Sequence, residues 1–77
     1  MAIRETVIAT ITDILQVDGG SIDDQTRFAE DLDADSVDVV EVVAELESTL
    51  GTKLPDQRLA EIASVGDLVA AFEASAV

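Results

Sequence analysis

The chain has 77 residues and a formal net charge of −13, from 17 acids against four bases, which argues against partners with phosphate backbones or anionic membrane surfaces and for a basic protein partner or a metal cation. Hydrophobic residues make up 48%, enough for one small domain over 1–77 and too many for a disordered tail, and with two Phe and no Trp or Tyr the core is built from Val, Ile, Leu and Ala. With no cysteine and no histidine there can be no disulfide, thiolate zinc site or cysteine nucleophile, and the commonest general base is missing.

Residues 2–16, AIRETVIATITDILQ, space Ile3, Val7, Ile11 and Ile14 by four, four and three, with Ile8 and Leu15 widening the stripe. This predicts an amphipathic helix. The stretch is too short and too polar for a signal peptide or a membrane span, so the simplest location is the cytoplasm. A long loop runs from VDGGSIDDQT to about residue 34, and Val17, Ile22, Phe28 and Leu32 are its expected anchors in the core.

The stretch DLDADSVDVVEVV, residues 31–43, admits three readings. As a strand it has the right valines, but Val39-Val40 and Val42-Val43 are adjacent and break the alternation. As a calcium loop it has Asp31, Asp33 and Asp35 at the first three ligand positions. It then puts Ser36 where a glycine makes the turn and Val42 where a bidentate carboxylate is needed. As a helix start it explains more residues. Val39, Val43, Leu46 and Leu50 fall within about 60° on a wheel of ~100° per residue, with Asp38, Glu41 and Glu45 on the other side. Asp35 is the N-cap, with Asp38 three residues on in a box-like arrangement, and the helix runs over 36–50 to a stop at Gly51.

Ser36 then lies in the first turn on the exposed side, where the helix dipole and unpaired amides favour a phosphate ester. Composition alone favours a plain helix-start serine. The surroundings shift the balance: Val37, Val40 and Ala44 flank Ser36, with Glu41 and Ser48 beside them and Glu47 nearly in line. An apolar strip bordered by acids suits a basic partner, although Val40 could equally edge the core. Further on, Pro55 is expected at the first position of a short third helix, followed by Asp56. Ser64 and Asp67 have capping-box spacing ahead of a last helix over roughly 65–74, and the tail ASAV is expected to fray. The fold class is therefore all-α: a small four-helix bundle with a short third helix and a long loop between helices one and two.

EDLDADSVDVVEVVAELESTLGTKLPD resembles the central segment of acyl carrier proteins, whose core is Asp-Ser, an apolar residue and an acidic helix behind. The lead-in from Phe28 to Leu32, the LPD of Leu54, Pro55 and Asp56, and SVGDLVAAF extend the likeness over nearly the whole chain. Three positions depart from the common pattern: Asp33 where Gly is frequent, Val37 where Leu is frequent and Ala44 where Met is frequent. The serine context lacks the His or Gly-Gly arrangement of peptidyl carriers, which favours an acyl over an aminoacyl cargo.

The resemblance implies a carrier rather than an enzyme. It implies 4′-phosphopantetheine on Ser36, placed there by a phosphopantetheinyl transferase and holding acyl groups as thioesters. It implies shuttling among acyl-transferring and chain-elongating enzymes of fatty acid or polyketide-type synthesis. Asp35, Val37, Asp38, Val40, Glu41, Ala44 and Glu47 form the expected docking face, the acids steering basic enzyme surfaces in weak, salt-sensitive encounters. A thiol supplied by a cofactor also explains how a chain without cysteine handles thioesters. The chain starts at Met1 and shows no linker, so a freestanding monomer is expected, with no specific metal site and no membrane insertion. The rival reading is an acidic calcium- or protein-binding helical module without a prosthetic group. An enzyme using Ser36 as nucleophile is disfavoured because no histidine is present to activate it.

Overall fold

The apolar stripe of the N-terminal segment forms α1, Ile3–Leu15, in a computed structural model of the chain that describes residues 3–75. Val7 and Ile11 at the centre of the stripe are completely buried, and Ile3, Ile8, Ile14 and Leu15 pack at its edges. The helix stops at Leu15, one residue earlier than the spacing suggested, because Gln16 turns into the left-handed region at φ 58°.

The valine-rich segment is a helix, α2, Ser36–Leu50. Periodicity has overridden β-propensity, and among the described residues there is no strand, only an isolated antiparallel bridge between Arg27 and Ser64. Gly51 closes α2 with φ 67°, a conformation open to glycine at no steric cost. The buried stripe is rotated from the expected one: Val42, Val43 and Leu46 are the fully covered residues, while Val39 and Leu50 lie half-buried at its edges.

The third helix, α3, is a single turn over Asp56–Leu59. Pro55 stands one position before it rather than at its first residue. Its ψ of 151° is extended, and its carbonyl accepts the Arg58 and Leu59 amides at 3.0 and 3.4 Å. The last helix, α4, spans Val65–Ser75, so Ala74 and Ser75 are helical, whereas Ala76 and Val77 of the expected frayed tail lie outside the described residues. Its face of Val65, Leu68, Val69, Ala71 and Phe72 is buried. α1 packs against both α2 and α4, which centres the core on Val7, Ile11, Leu46, Leu68 and Phe72.

The long loop is ordered by its apolar anchors and by backbone pairing. Ile22 and Phe28 are buried, and Val17 and Leu32 pack on the core. A 3-10 turn over Gly19–Ser21, capped by Asp18 through a 3.0 Å bond from the Gly20 amide, breaks the loop early. Farther along, a seam joins the loop to the start of α4. The Phe28 amide donates to the Ala63 carbonyl at 3.1 Å, Val65 to Thr26 at 2.8 Å and Gly66 to Asp24 at 2.9 Å. The approach at Gly66 is so close that a Cβ there would stand 2.7 Å from the Asp24 carbonyl oxygen.

Candidate functional site

Asp35 fixes where α2 begins. Its backbone is extended, its Oδ1 accepts the Asp38 amide at 2.9 Å, and Asp38 Oδ2 accepts the Asp35 amide at 3.2 Å, so the capping box is complete with an aspartate in place of the usual glutamate. Ser36 is the first residue of the helix and is exposed. The bonds of both neighbouring carboxylates run to backbone amides. They secure the helix start.

The three alternating aspartates have three separate tasks. Asp31 accepts the Arg27 amide at 2.8 Å and closes the turn before it. Asp33 occupies the left-handed region at φ 54°, and Asp35 caps the helix. They do not converge as ligands, and among the described residues no group of three acidic side chains is arranged to hold a metal ion. The frequent glycine at the position of Asp33 therefore has a conformational meaning here, since that backbone geometry suits glycine and is tolerated by aspartate.

Of the expected docking residues, Val37, Val40, Glu41 and Ala44 lie exposed on one side of α2, whereas Asp35 and Asp38 belong to its capping turn. Val37 is 72% exposed and Val40 55%, which settles Val40 as surface rather than core edge. Asp35, Glu41 and Ala44 are exposed beside them, and Asp38 is half-buried by its capping role. Glu47 differs from the others: it is half-buried, and its Oε2 accepts the Leu54 amide at 2.7 Å.

Ser36 lines a groove of about 880 Å³. Phe28 and Ala34 from the loop, Val39 and Val40 from α2, and Leu59 and Ile62 from and just beyond α3 line it, with Arg27, Glu30, Asp35 and Asp67 among its polar residues. At its α4 end the Asp67 amide donates to Ser64 Oγ at 3.2 Å, while Asp67 Oδ2 accepts the Ala63 and Ser64 amides at 3.0 and 3.1 Å. The Ala63 amide above all, joined by Ser64, holds the Asp67 carboxyl below the usual carboxylate range. That contribution to stability is present above the ordinary carboxylate pKa and is lost as the pH falls through the lowered one.

Sequence reasoning picked out Ser36 and the outer face of α2 but missed the α3 wall of the groove. Leu59 and Ile62 are spaced by three, a signal too short to be separated from an ordinary amphipathic turn.

The site is thus an exposed serine at a capped helix start, beside an apolar groove in a small helical bundle. The model of the family described as phosphopantetheine attachment site matches residues 5–72. The acyl carrier protein of Helicobacter acinonychis is 41% identical over 73 residues, an alignment covering 95% of this chain and 94% of that protein. Among solved structures, one from Mycobacterium tuberculosis assigned as an acyl carrier protein superposes with a TM-score of 0.88 at 27% identity, covering 95% of this chain and 97% of the other. The Enterococcus faecalis acyl carrier protein gives a TM-score of 0.72 at 32% identity, covering 94% and 96%. The chain belongs to the acyl carrier protein family. Its prosthetic group is 4′-phosphopantetheine, covalently attached.

The residues present fit that group. Ser36 is exposed, and the adjoining groove offers apolar walls beside a polar rim.

Proposed function

We propose that Ser36 is the attachment residue and that the chain carries acyl groups between enzymes of fatty acid or polyketide-type synthesis. The observation that carries this reading is the exposed Ser36 at the first position of α2, opening on the apolar groove. When attached, phosphopantetheine supplies a flexible arm with a terminal thiol that holds acyl groups as thioesters. A separate transferase would join the Ser36 oxygen to the phosphoryl group of coenzyme A and release adenosine bisphosphate. The capping box supports this step by fixing the helix start, and thus the direction in which Ser36 faces.

The chain itself carries and does not catalyse. Asp35 and Asp38 are turned to backbone amides, and no histidine or cysteine is available for acid–base or nucleophilic work. Val37, Val40 and Ala44 form the apolar centre of a docking face. Asp35, Asp38, Glu41 and Glu47 supply charge that speeds encounters with basic enzyme surfaces while leaving them short-lived. Phe28, Val39, Leu59 and Ile62 would shelter an acyl chain in the groove. Such a carrier works as a cytoplasmic monomer. No helix of the described residues is long and apolar enough to cross a membrane, and the charge of −13 disfavours association of two copies.

Incubation with coenzyme A and a broad-specificity phosphopantetheinyl transferase, followed by intact mass, tests the assignment. The expected result is a gain of one phosphopantetheine by the native chain and none by Ser36→Ala. A folded native chain that gains nothing from an active transferase would favour a binding module without a prosthetic group.

A further inference from the structure

The segment that walls the Ser36 groove is fastened mainly at its ends. No residue of α3 is buried, and Leu59 and Ile62 are only half-covered. A single helical turn has little stability of its own, so its position depends on its anchors. At the far end those anchors are several: the Asp67 bonds to the Ala63 and Ser64 amides and the Phe28 bond to the Ala63 carbonyl. At the near end Leu54 places its side chain in the core, 2% exposed, and its amide meets Glu47 Oε2 at 2.7 Å. That bond joins α2 directly to the start of the wall, across the turn at Gly51. It is short and charge-assisted, which makes it strong relative to the few contacts it supports.

We propose that Glu47 is a positioning residue for the cargo: its clasp on the Leu54 amide sets the 55–62 segment as a movable wall, and releasing the clasp opens the Ser36 groove without unfolding the bundle. This rests on the carrier reading of Ser36. It also gives Glu47 a role different from the exposed acids of the docking face. Glu41 can be exchanged without disturbing the wall, whereas a partner group that draws the Glu47 carboxylate away would loosen it.

Amide hydrogen exchange by NMR on the chain without its arm tests the clasp. Glu47→Ala should accelerate exchange at Leu54 and at Leu59 to Ile62 by about tenfold or more, the range for losing a hydrogen bond to a charged group, and leave α1 and α4 unchanged. Glu47→Gln, which keeps an acceptor oxygen, should recover most of the protection. Glu45→Ala, which removes the same charge from an exposed position of α2, should match the native chain. Unchanged exchange at 54–62, equal acceleration in α1 and α4, or a Gln variant no better than Ala would each overturn the clasp.

A second arm uses chains loaded from octanoyl-coenzyme A. Hydroxylamine should cleave the thioester several-fold faster in Glu47→Ala than in the native chain or Glu47→Gln. Loosened exchange with equal cleavage would overturn the link to cargo. Failure of Ser36 to load would overturn the carrier reading alone, because the exchange arm needs no arm on the serine.

Discussion

Two regions close the molecule on either side of the groove, and they are held by different means. The seam between residues 24–28 and 63–66 is built from backbone hydrogen bonds at 2.8–3.1 Å over a buried Phe28 and a core that includes Phe72. The outer side of α2 and the α3 wall have instead exposed valines, half-covered leucine and isoleucine, and side-chain clasps. The first arrangement resists opening because many groups must be broken together. The second yields locally, because few apolar atoms are gained by closing it. The chain thus places its candidate attachment serine where stability is cheapest to give up, on a scaffold that does not have to give any.

The largest test of that contrast sets Phe72→Ala against Val37→Ala. Phe72 is fully buried, and its truncation should cost about 3–5 kcal/mol, comparable with the whole stability of a domain this small. Val37 is 72% exposed, and its truncation should stay within about 0.5 kcal/mol. Urea denaturation followed by circular dichroism gives both. Similar costs at the two positions would erase the distinction between scaffold and site.

A smaller test probes the seam itself. Replacing a helical glycine by alanine ordinarily gains up to about 1 kcal/mol. At Gly66 the new methyl would meet the Asp24 carbonyl oxygen at 2.7 Å, and that oxygen already accepts the Gly66 amide. Backbone held on both sides cannot step aside as a flexible side chain would, so Gly66→Ala should be destabilising by about 1–3 kcal/mol. A higher midpoint in urea would mean that the seam is as yielding as the α3 wall.

The parts of this molecule that were legible in its sequence are those written in local patterns. The spacing of Val7 and Ile11 gave α1, and the pairs Asp35–Asp38 and Ser64–Asp67 gave the starts of α2 and α4, because capping is a three-residue affair. The first of these pairs also placed Ser36 in the opening turn of α2, while its candidate role came from the family resemblance. What was not legible depends on residues distant in the chain. The wheel could not say how far α2 rotates, since that depends on packing between elements, which buries Val42 and leaves Val39 at the groove. The seam joins residues about forty apart with backbone atoms that carry no sequence signal. The Glu47 clasp spans seven residues across a turn, and on a helical wheel the same residue belongs to the outer face.

Asp33 lies on the passage between the two regions, and its substitution is expected to have the smallest effect. Its φ of 54° is costly for most side chains and mild for aspartate, so Asp33→Gly relieves little strain and adds freedom to the unfolded chain. It also removes one negative charge from a run that includes Glu30, Asp31 and Asp35. The sum should be a stabilisation below about 1 kcal/mol at low salt. The two contributions separate by ionic strength, because a Debye length of about 3 Å at 1 M salt screens exposed charges and leaves backbone geometry untouched. A gain that survives 1 M salt belongs to the turn and means that this passage is held by conformation, as the seam is. A gain that disappears belongs to charge repulsion, and the passage then shares the electrostatics of the docking face.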